Sequence, residues 1–125
     1  MDIRDLSIGD WVLDGNNNPA KILAIENWSD GYVLNVRIKD IGIGVVVITR
    51  VRPIPITQEI LEKNGISKTY EGDEYAVYKG EGFNVTEYYT ELWEFERHRN
   101  RLMIRNVHQL QHALRLVGVG KEIEL

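Results

Sequence analysis

Short runs of alternating apolar and polar residues fill the first 56 positions of the chain, and turn-forming residues separate these runs. The alternation predicts strands over residues 10–14, 20–26 and 32–39. Residues 45–48 are branched aliphatic throughout, which favours a further strand that is buried on both faces. Four or five short strands at this spacing predict a small SH3-like β-barrel.

The second half of the chain carries signals for a short helix and a hairpin sheet. Thr57 is a suitable N-cap, and the helix that it begins should end at Asn64 and Gly65. Strand patterns follow over residues 75–79 and, as one long stretch, over residues 83–95, although residues 86–96 are also compatible with a helix. A four-residue turn after this stretch would pair it with the next apolar run as an antiparallel hairpin.

Capping residues indicate one more helix close to the end of the chain. Asn106 is a suitable N-cap, and Gln109 three positions later completes a capping box. The helix should end near Gly118, and residues 121–125 can form a final short strand. Helical spacing places four apolar residues on one stripe, which should be buried against the second sheet: Val107, Leu110, Leu114 and Val117.

These patterns together predict an α+β fold: an N-terminal small SH3-like β-barrel, a short helix, a β-hairpin sheet and a C-terminal helix. Prolines at positions 53 and 55 cannot lie in a central strand or a helix interior, so they mark an extended connector. The connector separates a barrel lobe of residues 1–56 from a second lobe of residues 57–125. We expect the two lobes to form one compact unit.

The charged residues are unevenly distributed along the chain. The net charge of −4 argues mildly against a protein that coats nucleic acid or a membrane surface. Residues 71–96 contain eight acidic residues and one lysine, whereas residues 97–115 contain five arginines and no acidic residue. One interpretation is that the basic block binds phosphates through Arg97, Arg99 and Arg101.

The other interpretation is that the acidic and basic blocks lie on neighbouring strands. A turn at residues 97–100 would place Glu96 opposite Arg101 and Trp93 opposite Ile104. In this register the two blocks face each other and neutralise each other's charge.

Composition excludes several classes of protein and site. No apolar run approaches the roughly 20 residues of a membrane span, and the first residues lack a signal-peptide pattern. The absence of cysteine fits a reducing compartment and removes disulfides, thiolate nucleophiles and Cys-ligated zinc. The expected location is cytoplasmic, with no membrane partner.

One pair of histidines has the spacing of a metal site. His108 and His112 lie four residues apart on the predicted C-terminal helix, as the two helical ligands of zinc hydrolases do. Gln109 stands where those motifs have a Glu base, and the fixed cation of Arg115 lies beside the pair. We therefore predict no metal, and two histidines that lie on the polar face of the helix or at an interface.

Motifs for nucleophilic or phosphate chemistry are also missing. The serines lie in turn or loop contexts without a Gly-x-Ser-x-Gly elbow, and the scattered glycines do not form a phosphate-binding loop. The sequence therefore predicts a protein that is not an enzyme and uses no cofactor.

Aromatic residues supply the candidates for binding. Trp11, Trp28 and Tyr32 lie in or beside the predicted barrel strands, where small barrels often present an aromatic groove to a peptide or a base. The alternative is that these three rings fill the barrel interior.

Three segments of the chain are similar to a family. They are residues 5–12 (DLSIGDWV), 52–65 (RPIPITQEILEKNG) and 107–116 (VHQLQHALRL), in that order. The chain resembles short uncharacterised proteins of Bacteroides and related gut bacteria, which are often encoded in prophages or other mobile elements. The resemblance covers essentially the whole chain, and it implies a bacterial cytoplasmic or phage-encoded accessory protein with no catalytic residue to carry over. One branch has Asn where His112 stands, which weakens a metal site further.

The function that the sequence favours is a non-enzymatic macromolecular interaction module. Its partner would be another protein or a second copy of the chain, because Tyr88, Tyr89 and Trp93 are too many rings for one strand face. The alternative is a nucleic-acid-binding accessory protein that uses the basic block.

Overall fold

The structure, a computed structural model, describes residues 1–125 and divides them into two compact units, Met1–Ile54 and Pro55–Leu125. Each unit contains one antiparallel sheet, and both α-helices belong to the second unit. The predicted α+β class is confirmed. No helix is long and apolar enough to cross a membrane.

A four-stranded antiparallel meander forms the first unit. Its strands, in sheet order, are β1 (Trp11–Leu13), β2 (Pro19–Trp28), β3 (Gly31–Ile38) and β4 (Gly42–Val47). Because successive side chains point to opposite faces of a strand, one face of this sheet collects the apolar residues. The core contains Leu6, Val12, Ala20, Ile22, Leu34, Val36, Val46 and Val51.

A buried carboxylate organises the turn between β1 and β2. Asp14 accepts hydrogen bonds through Oδ1 from the backbone N–H groups of Asn16 and Asn18, each at 2.8 Å. Asn17 between them has a φ of 64°, a conformation that Asn tolerates better than most residues. The turn predicted from Gly and Asn in this segment is therefore held by the aspartate that precedes it.

The prediction that the branched run is buried on both faces is wrong. Val46 in the core is 8% exposed, whereas Val45 beside it is 59% exposed and Val47 is also exposed. The physical reason is position, since β4 is the last strand of the sheet and only one of its faces meets the core. A run of valines does not show whether a strand is buried on one face or on both.

The chain returns to its first strand at the end of the first unit. A short 3-10 helix, Ile48–Arg50, follows β4. Arg52 then pairs with Leu13 of β1 through two backbone hydrogen bonds of 2.8 and 3.1 Å. β1 is therefore paired with β2 on one side and with this returning segment on the other.

The second unit contains a five-stranded antiparallel meander and both helices. The helices are α1 (Gln58–Lys63) and α2 (Val107–Leu116). The strands, in sheet order, are β5 (Ser67–Glu71), β6 (Tyr75–Gly80), β7 (Phe83–Tyr88), β8 (Leu92–Arg97) and β9 (Asn100–Ile104). The predicted N-cap of α1 is confirmed, because Thr57 Oγ1 accepts a hydrogen bond from the Ile60 N–H at 3.2 Å.

The long strand predicted over residues 83–95 is in fact two strands, β7 and β8. The turn between them contains Tyr89, Thr90 and Glu91, and Glu91 has a φ of 68°. None of these residues is a usual turn former. The apolar and polar pattern of residues 83–95 therefore predicts one continuous strand. β5 was not predicted either, because its side chains are mostly polar and exposed.

The register predicted for the last hairpin is confirmed. Glu96 lies opposite Arg101 and Trp93 opposite Ile104. The acidic and basic blocks therefore do lie on adjacent strands in this part of the sheet.

The last five residues do not form the predicted strand. Instead, the buried side chain of Asn64 binds the backbone of Glu124 in both directions, with its Nδ2 donating at 2.8 Å and its Oδ1 accepting at 2.7 Å. Ile123 is thereby held in a buried position. One side-chain amide replaces the strand partner that the sequence pattern suggested.

Helix α2 begins with the predicted capping box, in which Gln109 Oε1 accepts a hydrogen bond from the Asn106 N–H at 3.1 Å. Val107, Leu110 and Leu114 are buried, as the stripe predicts, and Val117 follows the helix as its half-buried C-cap.

Candidate binding surfaces

The three aromatic residues predicted to form a partner groove have different environments. Trp11 on β1 is only 6% exposed, so it presents almost no surface to a partner. Trp28 at the end of β2 is 56% exposed, and Tyr32 at the start of β3 is also exposed. Trp11 is therefore buried, as the alternative expects, although it does not belong to the core cluster of the first unit, and the other two rings are exposed.

The register of β2 and β3 also separates the two exposed rings. Trp28 lies opposite Gly31, and Tyr32 lies opposite Asn27. Residues that are directly opposite share a face, and successive residues alternate between faces. Trp28 and Tyr32 consequently lie on opposite faces of the sheet, and the three rings do not form one groove.

Trp28 shares its face with the exposed aliphatic side chains of β4. Val47 lies opposite Val33, and Val33 lies opposite Glu26, which has the same orientation as Trp28. The alternation extends this face along β4 to Val45 and Ile43. We call the four exposed apolar residues on it the β4 face: Trp28, Ile43, Val45 and Val47.

The indole of Trp28 is held in place by a neighbour on its own strand. Its Nε1 donates a hydrogen bond of 2.9 Å to Glu26 Oε2. This contact satisfies the polar atom of the indole and leaves the apolar ring for contact with a partner.

β4 is also a sheet edge, because β3 is its only neighbour in the sheet. Natural edge strands are commonly protected by lysine, proline or a bulge. The sequence of β4 is Gly-Ile-Gly-Val-Val-Val, with no charged residue and no proline, and its register with β3 is continuous. The edge is therefore an apolar strand that could accept a further one.

The arginines of the alternative nucleic-acid interpretation are partly engaged within the fold. Arg97 Nη1 donates a hydrogen bond of 2.7 Å to the carbonyl of Val117, the C-cap of α2. Arg101 Nε lies 3.8 Å from Glu96 Oε2 on the adjacent strand. Arg99 lies exposed in the turn between β8 and β9. Two of the three side chains thus have structural contacts that a phosphate would have to displace or share.

The histidine pair is not arranged as the sequence suggested. His108 is buried, although it was expected on the polar face, while His112 is half-buried. Their ring centroids are 5.7 Å apart in an edge-on arrangement. No group of three or more His, Asp or Glu side chains is placed to hold a metal ion. The buried face of α2 is wider than the stripe of apolar residues, so it also includes the side chain of His108.

A cleft of about 550 Å³ lies beside the inner face of the second sheet. Glu87 and Trp93 are among its lining residues, and the Tyr78 hydroxyl donates a hydrogen bond of 3.4 Å to Glu87 Oε1. Burial, and then the negative charge of Glu87, raise the pKa of Tyr78. A phenol is protonated at neutral pH even without this rise, and the hydroxyl acts as a hydrogen-bond donor.

The second sheet buries some of its rings and exposes others. Trp93 is buried, Tyr88 is half-buried and Tyr89 is exposed, so these three rings do not all lie in the core. Tyr70 and Tyr75 are also exposed, and the sequence pattern did not single out either of them. Tyr70 lies on β5, which the sequence pattern does not predict. Nothing in the sequence therefore indicates that its side chain lies on the surface of the sheet.

Comparison with protein-family models, curated proteins and solved structures gives no match for this chain.

Proposed function

We propose that the protein is a non-enzymatic interaction module in which β4 binds an extended strand of a partner protein. The observation that carries the proposal is the β4 edge, an unprotected strand whose exposed side chains on the outer face are all branched aliphatic. Trp28 extends the same face toward the β2–β3 turn.

Strand addition explains how such an edge could bind with both affinity and specificity. The free N–H and C=O groups of an edge strand form main-chain hydrogen bonds with an incoming peptide. Alternate side chains of that peptide would lie beside Ile43, Val45 and Val47, so apolar residues at every second position would be preferred. The partner class is therefore a polypeptide with an extended apolar segment.

The first unit also supports an SH3-like description at the level of topology. A meander of four strands, a 3-10 helix at Ile48–Arg50 and a return to β1 at Arg52 follow one another along the chain. The return segment pairs β1 on the side that β2 leaves free, and this closes the sheet toward a small barrel. We propose this unit as the scaffold that presents β4.

The cellular context that we propose follows from the resemblance in the sequence. A cytoplasmic accessory protein of a bacterium or its mobile elements would be expected to act by binding a partner. This context agrees with a chain that contains no cysteine.

Nucleic-acid binding is the weaker candidate. Arg97 and Arg101 have contacts inside the second unit, and Glu96 lies within the basic region. Binding of single- or double-stranded DNA or RNA that weakens steeply with salt would favour this alternative.

The test is selection of binding peptides from a random library, followed by measurement of the dissociation constant of each selected peptide. We expect peptides with branched or aromatic residues at alternate positions. Val45→Lys should weaken their binding by about tenfold or more, because a charge at an edge opposes strand addition.

Met103→Lys is the matched control. Met103 is an exposed apolar residue on β9, the edge strand of the other sheet. This variant should bind the peptides as tightly as the wild type does. Equal affinity of Val45→Lys and wild type, with circular dichroism showing both folded, would contradict the proposal.

A further inference from the structure

Three tyrosines form a row on the outer face of the second sheet. Tyr75 of β6 lies opposite Tyr88 of β7. Tyr70 of β5 lies opposite Val77, which has the same orientation as Tyr75. We call Tyr70, Tyr75 and Tyr88 the tyrosine row.

The rings of the row are close to one another and accessible. The centroids of Tyr70 and Tyr75 are 5.2 Å apart, and those of Tyr75 and Tyr88 are 6.2 Å apart. Tyr70 is 50% exposed and Tyr75 is also exposed. The planes are tilted by 33° and 47°, so the rings make an uneven surface whose π faces are partly open.

The turns at this end of the sheet are acidic. Asp73 and Glu74 lie between β5 and β6, and Glu91 lies between β7 and β8, so both turns lie at the end where Tyr75 pairs with Tyr88. Each of these three carboxylates is exposed.

The nearest lysine along the chain does not neutralise this surface. Lys68 lies opposite Tyr78, on the inner face of the sheet. Its Nζ is 3.1 Å from Glu71 Oε1 and 5.7 Å from the centre of the Tyr78 ring. The other lysine of this strand pair, Lys79 on β6, has the same orientation as Tyr75 but lies near the opposite end of the strand from the acidic turns. The tyrosine row therefore lies beside acidic turns with no lysine at that end of the outer face.

A cation is the chemistry that both features favour. The carboxylates of Asp73, Glu74 and Glu91 would stabilise a positive charge bound at this end of the sheet. Nucleic acid, in contrast, could stack on the rings but would be repelled by the acidic turns.

We propose that the tyrosine row and its acidic turns bind an arginine-rich segment of a partner protein. A planar guanidinium stacks on tyrosine rings, while its N–H groups can donate to the carboxylates at the rim. This surface belongs to the second sheet and recognises charge, so the proposal does not depend on strand addition at β4.

The test uses a fluorescein-labelled peptide in which arginine alternates with glycine, and a matched peptide in which citrulline replaces every arginine. Citrulline keeps the shape of the side chain but carries no charge. Fluorescence anisotropy at low salt should show binding of the arginine peptide and none of the citrulline peptide. Raising the salt concentration should weaken the binding, because the rim contacts are exposed.

Variants locate the site on the tyrosine row. Tyr70→Thr combined with Tyr75→Thr keeps residues that suit strands and should weaken arginine-peptide binding by about tenfold. Met103→Thr removes an exposed apolar side chain from a different strand of the same sheet and should leave binding unchanged. Unchanged binding by the folded double-tyrosine variant would overturn the proposal.

A measurement on the wild-type protein keeps the proposal testable if that variant does not fold. The ring-proton NMR signals of Tyr70, Tyr75 and Tyr88 should shift when the arginine peptide is added. Equal shifts with the citrulline peptide would overturn the proposal. So would shifts caused by an oligonucleotide instead of the arginine peptide, or by raising the protein concentration alone, which would identify a second copy as the occupant.

Discussion

The two sheets of the protein are both antiparallel meanders, but they protect their edges differently. The edge strands of the second sheet carry charged residues, with Lys68 and Glu71 on β5 and Arg101 on β9. The free edge of the first sheet, β4, carries none. Charged side chains oppose the addition of further strands. The comparison indicates that the first sheet is suited to bind through its backbone edge and the second through the side chains of its outer face.

The two outer faces also differ in chemistry. The β4 face consists of aliphatic side chains and one indole, whereas the second sheet exposes tyrosines beside acidic turns. We therefore propose different kinds of recognition for two sheets of similar topology, because different residues occupy the outward positions of their strands.

The largest expected change in stability comes from a substitution on the buried face of α2. Leu110 is fully buried in α2, so Leu110→Asp should lower the free energy of unfolding by about 3–5 kcal/mol, because it buries an unpaired charge and removes apolar contacts. Urea denaturation measures this change. Leu116→Asp on the same helix, at a residue that is 76% exposed, is the control and should lower the stability by only about 1 kcal/mol, because an acidic residue at the end of a helix is mildly unfavourable. Equal effects of the two variants would mean that the buried face of α2 is assigned wrongly.

A smaller effect is expected at the clamp on the last residues. Asn64→Ala should cost about 1–2 kcal/mol, since it leaves partly buried backbone groups of Glu124 without their side-chain partner. The same variant should increase the rate of hydrogen exchange at the Glu124 amide. Asn100→Ala, at an exposed position, serves as the control. Slow exchange of the Glu124 amide in Asn64→Ala would show that another group holds this segment.

The smallest expected change in stability comes from substitutions on the two faces of β4. Val46→Ala should cost about 1.5 kcal/mol, because it removes two buried methyl groups from the core of the first unit. Val45→Ala should cost about 0.5 kcal/mol or less, because Val45 is exposed. Thermal unfolding of the two variants measures the difference. If Val45→Ala were the more damaging change, the outer face of β4 would be covered and unavailable to a partner.

Much of the fold could be predicted from local chemistry. Thr57, Asn106 and Gln109 act within one turn of a helix, so their capping roles are visible in the sequence. The register of Glu96 with Arg101 follows from one short turn and from apolar residues that must share a face. The split between β7 and β8 could not be predicted, because Glu91 adopts a positive φ without being a residue that favours it.

The candidate surfaces were harder to predict than the elements. Whether Trp11 is buried and Trp28 exposed depends on their places in the sheet, which composition does not reveal. The opposite orientations of Trp28 and Tyr32 depend on the register across the β2–β3 turn. The clamp by Asn64 joins positions that are 60 residues apart, and no local pattern indicates such a contact.

The most direct test of strand addition at β4 is amide hydrogen exchange of Gly42–Val47, measured with and without a peptide selected for binding. In an antiparallel pair, alternate amides of an edge strand point away from its neighbour. We expect these alternate amides to exchange rapidly in the free protein and to become protected when the peptide is bound, with the amides of β9 unchanged. Peptide binding that leaves the exchange of β4 unaltered would contradict the account.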